Sequence, residues 1–263
     1  MDIETHIKVA PDAVRVWRGF MAERYRGSEK GAAKFRQALC EVFIPLTAQA
    51  MAPLGLTAYQ PTILSDGDPL VPDEIALVFY ESGETYKTAS KATLGKAYGM
   101  LHGNVFNFSR ADEAVPWSTS AFPEKLGDEL APDKPYYLFD EEVDWYHGAT
   151  ELYVGAWHEP VNQDSLHCVR EALTGLQGDP PAGLDGLIAV ASPRYLIIWS
   201  HGADEPVCES GLLAGAEDRL RTVVCKQARP IDVPDSMWDQ LCALDIDVND
   251  PVNTRFPRRR LPT

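Results

Sequence analysis

Two apolar stretches decide the fold that this sequence predicts: VPDEIALVFYESG at 71–83 and SPRYLIIWSHG at 192–202. Each is entered through a proline, carries an aromatic residue near its end and closes on glycine. When the second is laid over the first, Trp199 falls on Tyr80 and Gly202 falls on Gly83. Short apolar runs bounded by turn residues are typical of buried strands. The pair therefore predicts the same strand in two copies of one structural unit.

The flanking patterns repeat one order of elements: strand, helix, strand, strand, helix, strand. In the first half, the strand through Val9 is followed by helical spacing of apolar residues from Val14 to Tyr25. A second helix, kinked at Pro45, then leads to a strand over 56–64. After the quoted strand, a helix runs from Ser82 toward Phe106, and a last strand or extended stretch follows around 108–117.

The second half of the sequence predicts the same series of elements. The predicted elements are a strand over 149–157, a helix over 161–177, strands over 187–191 and 195–201, a helix over 208–227 and a final strand within 231–248. The expected boundaries are a first repeat at 1–117, a charged linker rich in proline and glycine at 118–142, a second repeat at 143–250 and a basic, proline-containing tail at 251–263.

Charge and composition exclude several classes of function. The chain of 263 residues has a net charge of −15, which argues against nucleic acid or an anionic membrane as a partner. Its apolar runs are too short to span a membrane, and the N-terminus lacks the pattern of a signal peptide, so we expect a cytoplasmic protein. The five cysteines, an odd number, are expected to be reduced. Neither a metal-ligand spacing nor a glycine-rich nucleotide-binding loop occurs in the sequence.

Two βαββαβ units in one acidic chain resemble the ferredoxin-like half-barrels of the dimeric α+β barrel superfamily. The style of the strands is closest to that of its antibiotic-biosynthesis-type monooxygenases and polyketide-modifying enzymes. The resemblance implies an α+β fold in which two tandem ferredoxin-like repeats pair their antiparallel sheets into a single-chain α+β barrel. It also implies a ligand cavity between each sheet and the helices that cover it.

The helix that follows the first quoted stretch carries the best candidate catalytic residues. Tyr98, His102 and Phe106 are spaced four residues apart and so share one face. His102 is the candidate general base because imidazole titrates near neutral pH, with Tyr98 and Tyr80 orienting a substrate oxygen. A packed core holding one hydrogen-bonded histidine is the structural alternative.

A second group of residues is predicted to contact the substrate: Trp199, Phe106, His158 and Trp17. Trp199 and Tyr80 are treated as one position in the two repeats, where an aromatic ring would stack on a flat substrate. His201 lies at a strand end and is expected at the surface.

These residues predict an enzyme for a bulky aromatic or polyketide-like substrate, most simply an oxygenase that deprotonates a phenol for reaction with O2. No tightly bound cofactor is expected, and O2 is the expected co-substrate. Reduced flavin supplied by a partner flavin reductase is an alternative. Neither heme nor a metal ion is expected. Three other functions stay open: a cofactor-free cyclase or isomerase, a heme-dependent lyase resembling aldoxime dehydratases, and a non-catalytic ligand-binding or stress protein. The chain is expected to be a monomer or a homodimer.

Overall fold

The computed structural model describes residues 8–64, 68–110, 115–145, 150–204 and 216–228. They form a mixed α+β structure that divides into two compact units. The first unit comprises residues 13–120, and the second comprises residues 8–12 and 121–228. Each unit is built around one sheet.

The first unit is a four-stranded sheet with helices inserted after its first and third strands. Its elements are β1 (Val14–Gly19), α1 (Glu29–Ala38), a π-helical turn (Leu39–Phe43), α2 (Ile44–Met51), β2 (Leu56–Ile63), β3 (Glu74–Tyr80), α3 (Gly83–Lys91), α4 (Thr93–His102) and β4 (Thr119–Ala121). The strands lie in the order β2-β3-β1-β4, and β3 is antiparallel to both of its neighbours. The predicted strands over 56–64 and 74–81 are confirmed.

The predicted helix from Val14 to Tyr25 is wrong, because β1 occupies its beginning. Val14 and Val16 are β-branched and alternate with Arg15 and Trp17, so the period is two, as in a strand. The helical spacing of the larger apolar residues concealed this alternation. The strand expected through Val9 lies mostly outside the described residues, and Val9 itself forms an isolated bridge with Val143.

Proline and glycine shape the helices of the first unit. The kink was predicted at Pro45, and a π-helical turn lies just before this proline, in which the Ile44 N–H donates to the Leu39 carbonyl. The helix expected from Ser82 toward Phe106 is broken at Ala92, where the backbone is extended, so α3 and α4 are separate helices. Gly95 lets α4 turn closely past the end of α3, because a Cβ atom there would lie 2.0 Å from the Ala89 carbonyl oxygen.

The second unit is a six-stranded sheet packed on one long helix. Its elements are β5 (Glu124–Lys125), β6 (Pro135–Tyr137), β7 (Thr150–Trp157), α5 (Gln163–Gly178), β8 (Gly186–Ala191), β9 (Tyr195–His201) and β10 (Leu220–Gln227). The strands lie in the order β10-β7-β9-β8-β6-β5. Leu166, Val169, Leu173 and Leu176 of α5 pack on the face of the sheet that carries Ile198.

Two segments of the second unit differ from expectation. The stretch 118–142, predicted as a linker, supplies β5 and β6, and β6 pairs with β8 in the sheet. The predicted helix over 208–227 is wrong for its described part, since Leu220–Gln227 is a strand paired with β7. A β-branched run from Thr222 to Val224 favours that strand. The rest of that helix and the strand within 231–248 lie outside the described residues.

The strands of the described residues form two sheets and no closed barrel, so the predicted single-chain barrel is not formed. Both sheets nevertheless contain the same order of strands. Counted along the chain within each unit, β1, β2, β3 and β4 are arranged as 4-1-3-2, and so are β7, β8, β9 and β10.

The structure bears on two further expectations, membrane-spanning helices and the state of the cysteines. No helix of the described residues is long and apolar enough to cross a membrane. Cys225 is disulfide-bonded, so the expectation of reduced thiols is wrong for this residue, whereas Cys40 and Cys168 are free.

Candidate functional site

The candidate site lies on the face of the first sheet that carries Trp17, Glu74 and Tyr59. Trp17 is paired with Ala76, Gly19 with Glu74, and Tyr59 with Val78, and directly paired residues point to the same side of a sheet. Side chains from the π-helical turn and from α4 contact Trp17 and its neighbours on this face.

Glu74 is a carboxyl group buried on this face, with 1% of its surface exposed. Its Oε2 atom accepts a hydrogen bond of 2.9 Å from the Trp17 indole N–H, and its Oε1 atom accepts one from the Tyr59 hydroxyl. Burial raises the pKa of Glu74 to about 7, although both hydrogen bonds favour the carboxylate. Burial and the neighbouring carboxyl group raise the pKa of Tyr59 as well. Glu74 therefore changes its charge near neutral pH, in the range where a general acid or base works best.

His102, the last residue of α4, lies within a cage of aromatic rings. Its ring centroid is 4.6 Å from that of Tyr98, 5.0 Å from Phe43, 5.4 Å from Trp17 and 6.1 Å from Phe106. The histidine Nδ1 atom lies 3.2 Å from the Tyr98 carbonyl oxygen. A carbonyl only accepts hydrogen bonds, so Nδ1 carries the proton and Nε2 presents its lone pair.

The electrostatics of His102 differ from the sequence expectation. Burial lowers its pKa to about 4, so the imidazole is neutral at physiological pH instead of titrating there. Two groups that titrate in the same layer are thus shifted in opposite directions, Glu74 upward and His102 downward. Between pH 4 and pH 7, a neutral base and a protonated acid coexist, a pattern common in acid–base active sites.

The predicted orienting tyrosines have different partners. The Thr47 hydroxyl donates to the Phe43 carbonyl at 2.7 Å, so the Tyr98 hydroxyl, 2.6 Å from Thr47, donates its hydrogen to that threonine. A substrate oxygen would have to displace Thr47 to receive this hydrogen. Tyr80 is buried and packs edge-on against Tyr86 at 5.1 Å. Burial raises the pKa of both Tyr80 and Tyr98, so both stay protonated.

The structure brings together four of the seven predicted residues in one cluster and places Tyr80 in the same unit. The four are His102, Tyr98, Phe106 and Trp17. Trp199 and His158 belong to the second unit, where Trp199 is buried and His158 is exposed on the strand end next to α5.

The treatment of Trp199 and Tyr80 as one position is wrong. Tyr80 points to the side of its sheet that is covered by α3, as its contact with Tyr86 shows. Trp199 points away from α5, because its neighbour Ile198 packs on that helix and successive strand residues alternate. Tyr80 and Trp199 therefore lie on opposite sides of their sheets relative to the helices, whereas equivalent positions would lie on the same side. His201, predicted at the surface, is buried, with Nδ1 2.5 Å from the Asp185 carboxylate.

Sequence reasoning missed Glu74, Tyr59 and Arg15. Glu74 opens a strand in which every residue is buried, and an acidic residue next to such an apolar run was the available signal. Arg15 alternates with two valines in β1; its guanidinium lies 4.1 Å from the centroid of the Tyr86 ring. The positive charge of Arg15 acts on Tyr80, Tyr98 and His102, lowering the pKa of each.

Gly19 lies beside the Trp17–Glu74 contact, and replacing it with alanine is expected to destabilise the chain. A Cβ atom at position 19 would lie 2.7 Å from Phe106 Cε1 and 2.8 Å from Trp17 Nε1. Gly19→Ala is expected to lower the free energy of unfolding by about 1–3 kcal/mol, because both rings must move in a packed layer. Urea denaturation measures the loss. Gly103→Ala, whose new methyl group would meet nothing closer than 3.7 Å, is the control. Equal stability of the two variants would contradict the packing described.

No group of histidine, cysteine and acidic residues with the geometry of a metal site occurs in the described part of the chain. A scan against protein-family models finds no matching family, and a search of curated proteins finds no match.

Solved structures give distant similarities. A proposed monooxygenase from Lactobacillus acidophilus NCFM is 9% identical, with 81% of this chain and 95% of the other covered at a TM-score of 0.32. Another from Fusobacterium nucleatum subsp. nucleatum is 8% identical, with coverages of 81% and 93% and a TM-score of 0.35. An anthrone oxidase-like protein is 9% identical, with coverages of 87% and 100% and a TM-score of 0.33.

Proposed function

We propose that this chain is an enzyme acting on a bulky aromatic small molecule, an oxygenase that removes a proton from a phenolic substrate so that it reacts with O2. The observation that carries the proposal is the state of His102. Its tautomer is fixed by the Tyr98 carbonyl, it is neutral, and its ring lies among the rings of Tyr98, Phe43 and Trp17. A lone pair held in this way amid aromatic rings accepts the hydrogen of a substrate hydroxyl.

The proposed reaction begins with transfer of the phenolic proton to Nε2 of His102. The resulting phenolate, in resonance with a carbanion, gives up an electron pair to O2 and a C–O bond forms. The proton held by His102 passes to the distal oxygen, and loss of water leaves a carbonyl group on the substrate. One oxygen atom ends in the product and the other in water, so a substrate methylene and O2 balance a ketone and water.

Arg15 supports this chemistry through its charge. Its guanidinium lies over Tyr86 and favours anionic forms of the groups around it, as its effect on the pKa values of Tyr80 and Tyr98 indicates. We assign to it the stabilisation of the phenolate, which a base with a pKa of about 4 cannot generate alone. Phe108, which is 45% exposed and whose ring centroid lies 6.4 Å from that of His102, supplies the aromatic surface on which a flat substrate packs.

We further propose that the two units are diverged copies of one ferredoxin-like unit and that only the first is catalytic. The shared 4-1-3-2 strand order supports the duplication. In the second unit, the layer between sheet and helix is filled mainly by leucine, valine and other apolar side chains. The buried residues of α5 are one serine, one valine and three leucines, none of which can act as a general acid or base.

The rate of oxygen consumption tests the assignment of His102 as the general base. With a panel of naphthols and hydroxyanthracenes, His102→Ala is expected to lower turnover by about 10²-fold, the usual contribution of a general base. His167→Ala, which removes an exposed histidine of α5, is the matched control and should keep full turnover. Turnover by His102→Ala at the level of the control would sink the assignment.

The same preparations separate the alternative functions. Product formation without oxygen uptake would identify a cyclase or isomerase, and a Soret band in the absorption spectrum would identify a heme-dependent lyase. A requirement for added reduced flavin would assign the activation of O2 to the flavin. Binding of the phenols without any turnover would leave a ligand-binding protein.

A further inference from the structure

The first unit contains a cavity of about 300 Å³ that belongs to neither the His102 cage nor the Glu74 cluster. The residues that line it include Phe20, Tyr25, Arg26, Ala32, Val71 and Asp73. None of the cage residues is among them. The rings of Tyr25 and Phe35, 5.8 Å apart, and of Phe35 and Phe106, also 5.8 Å apart, separate the cavity from His102. Its volume suits a small organic molecule.

The cavity has apolar sides and an acidic rim. Phe20, Tyr25 and Val71 present apolar or aromatic surface. Three acidic residues, Glu29, Asp68 and Asp73, line the cavity together with Arg26, and the Arg24 guanidinium lies 4.8 Å from the centroid of the Tyr25 ring. This balance favours a positively charged ligand, as does the net charge of −15 on the whole chain.

Asp73 is the carboxylate held most firmly in this cavity. Its Oδ2 atom accepts a hydrogen bond of 2.7 Å from the Met21 backbone N–H, and the Arg26 Nε–H donates to the Met21 carbonyl at 3.1 Å. Burial raises the pKa of Asp73, while the Met21 hydrogen bond and the Arg26 charge act in the opposite direction. A cation that reaches Asp73 would replace the solvation that burial has removed.

The loop that forms the other side is braced before any ligand arrives. The Ser28 hydroxyl caps α1 by accepting from the Gly31 N–H at 3.1 Å, and Gly27 adopts the left-handed conformation at φ +75°. The Arg26 N–H closes a turn on the Glu23 carbonyl at 3.0 Å. A cavity formed by such a loop loses little conformational entropy on binding.

We propose that this cavity binds a small organic ammonium ion whose compact apolar body packs on Phe20 and Tyr25 and whose amine donates to Asp73. The site is independent of the proposed oxygenase activity, since binding requires none of its residues. The acidic rim selects the ammonium ion against carboxylates of the same shape.

The test compares three probes of nearly equal size by titration calorimetry: phenethylamine, 2-phenylethanol and 3-phenylpropionate. Phenethylamine is expected to bind about tenfold or more tightly than the alcohol, and the carboxylate least tightly, because a charge-assisted hydrogen bond contributes about 1.5–3 kcal/mol. Asp73→Asn, which keeps an acceptor for Met21, should remove that tenfold advantage and leave alcohol binding within about twofold.

Three further variants secure the interpretation. Ala32→Phe should abolish binding of phenethylamine and alcohol alike by filling the cavity, and Asp128→Asn, an exposed carboxylate of the second unit, should change neither. Glu29→Gln removes a negative charge from the rim and leaves the hydrogen bond between Met21 and Asp73 unchanged. It is expected to weaken the binding of phenethylamine and not that of 2-phenylethanol. Equal binding of all three probes, preference for the carboxylate, or failure of phenethylamine to bind at millimolar concentration would each overturn the proposal.

Discussion

Gly95→Ala is expected to destabilise the first unit by about 3 kcal/mol or more. The added methyl group would lie 2.0 Å from the Ala89 carbonyl oxygen and 2.9 Å from its carbon, both of which are backbone atoms. A flexible side chain could turn aside from such a contact, but the end of α3 cannot move without disturbing the Ala92 N–H that donates to Ala89. The result is that α4 separates from α3.

Gly99 supplies a matched control on the same helix. An added Cβ atom at Gly99 would meet nothing within 4 Å. Gly99→Ala therefore gains helix propensity alone and should raise stability by up to about 1 kcal/mol. Urea denaturation of both variants measures the difference, and equal midpoints would show that α3 and α4 do not pack as described. Because α4 carries Tyr98 and His102, Gly95→Ala should also reduce the proposed turnover, whereas Gly99→Ala should preserve it.

The strands of this protein were largely predictable, and the exceptions have a common physical cause. Runs such as 74–80 and 195–201 are apolar at nearly every position, so their length and bounding turn residues identify them as strands. In β1, large apolar residues fall by chance at helical intervals, while the decisive alternation of Val14 and Val16 with longer side chains covers only a few positions. β5 and β6 are two and three residues long, too short for any period to be recognised.

The aromatic part of the site was predictable, and its electrostatics were not. A spacing of four residues on a helix places Tyr98, His102 and Phe106 on one side, as the ring contacts show. The pKa of a side chain depends on burial and on partners distant in the sequence. Trp17 and Glu74 are 57 residues apart, and Tyr59 and Glu74 are 15 apart. Which face of a strand meets a helix also depends on a register that the overlay of 71–83 on 192–202 could not define to one residue.

The largest pH-dependent effect is expected for Glu74→Gln, which should be more stable than the wild type at pH 8 by about 3 kcal/mol. Burial raises the pKa of Glu74 from 4.5 to about 7 in the folded chain. Below pH 4.5 the group is protonated in both states. As the pH rises through 7, the unfolded chain releases this proton more readily, and stability is lost. The amide of glutamine keeps an acceptor for Trp17 and a polar partner for Tyr59 and has no proton to release, so the loss is avoided.

His102 changes the stability of the folded chain with pH in the direction opposite to Glu74. Its pKa is lowered from 6.5 to about 4, so the folded state loses stability as the pH falls from 6.5 through 4. The two trends offset each other between about pH 4.5 and 6.5 in the wild type. Glu74→Gln removes the glutamate trend, so the free energy of unfolding should rise more steeply than in the wild type up to pH 6.5, and the wild-type decline toward pH 7 should be absent. Urea denaturation at intervals of pH measures both curves.

Glu84→Gln is the control, because Glu84 is exposed and pairs with Lys87 on the surface of α3. It should follow the wild-type curve within about 0.5 kcal/mol at every pH. A Glu74→Gln variant less stable than the wild type at pH 8 would mean that the carboxylate is stabilised in the folded chain and that its pKa is not raised. The same variant bears on function: His102 is neutral above pH 5, so any change in turnover near pH 7 belongs to Glu74 and should vanish with it. If that change persists in Glu74→Gln, another group controls the chemistry, and the carboxyl group beside Trp17 is structural.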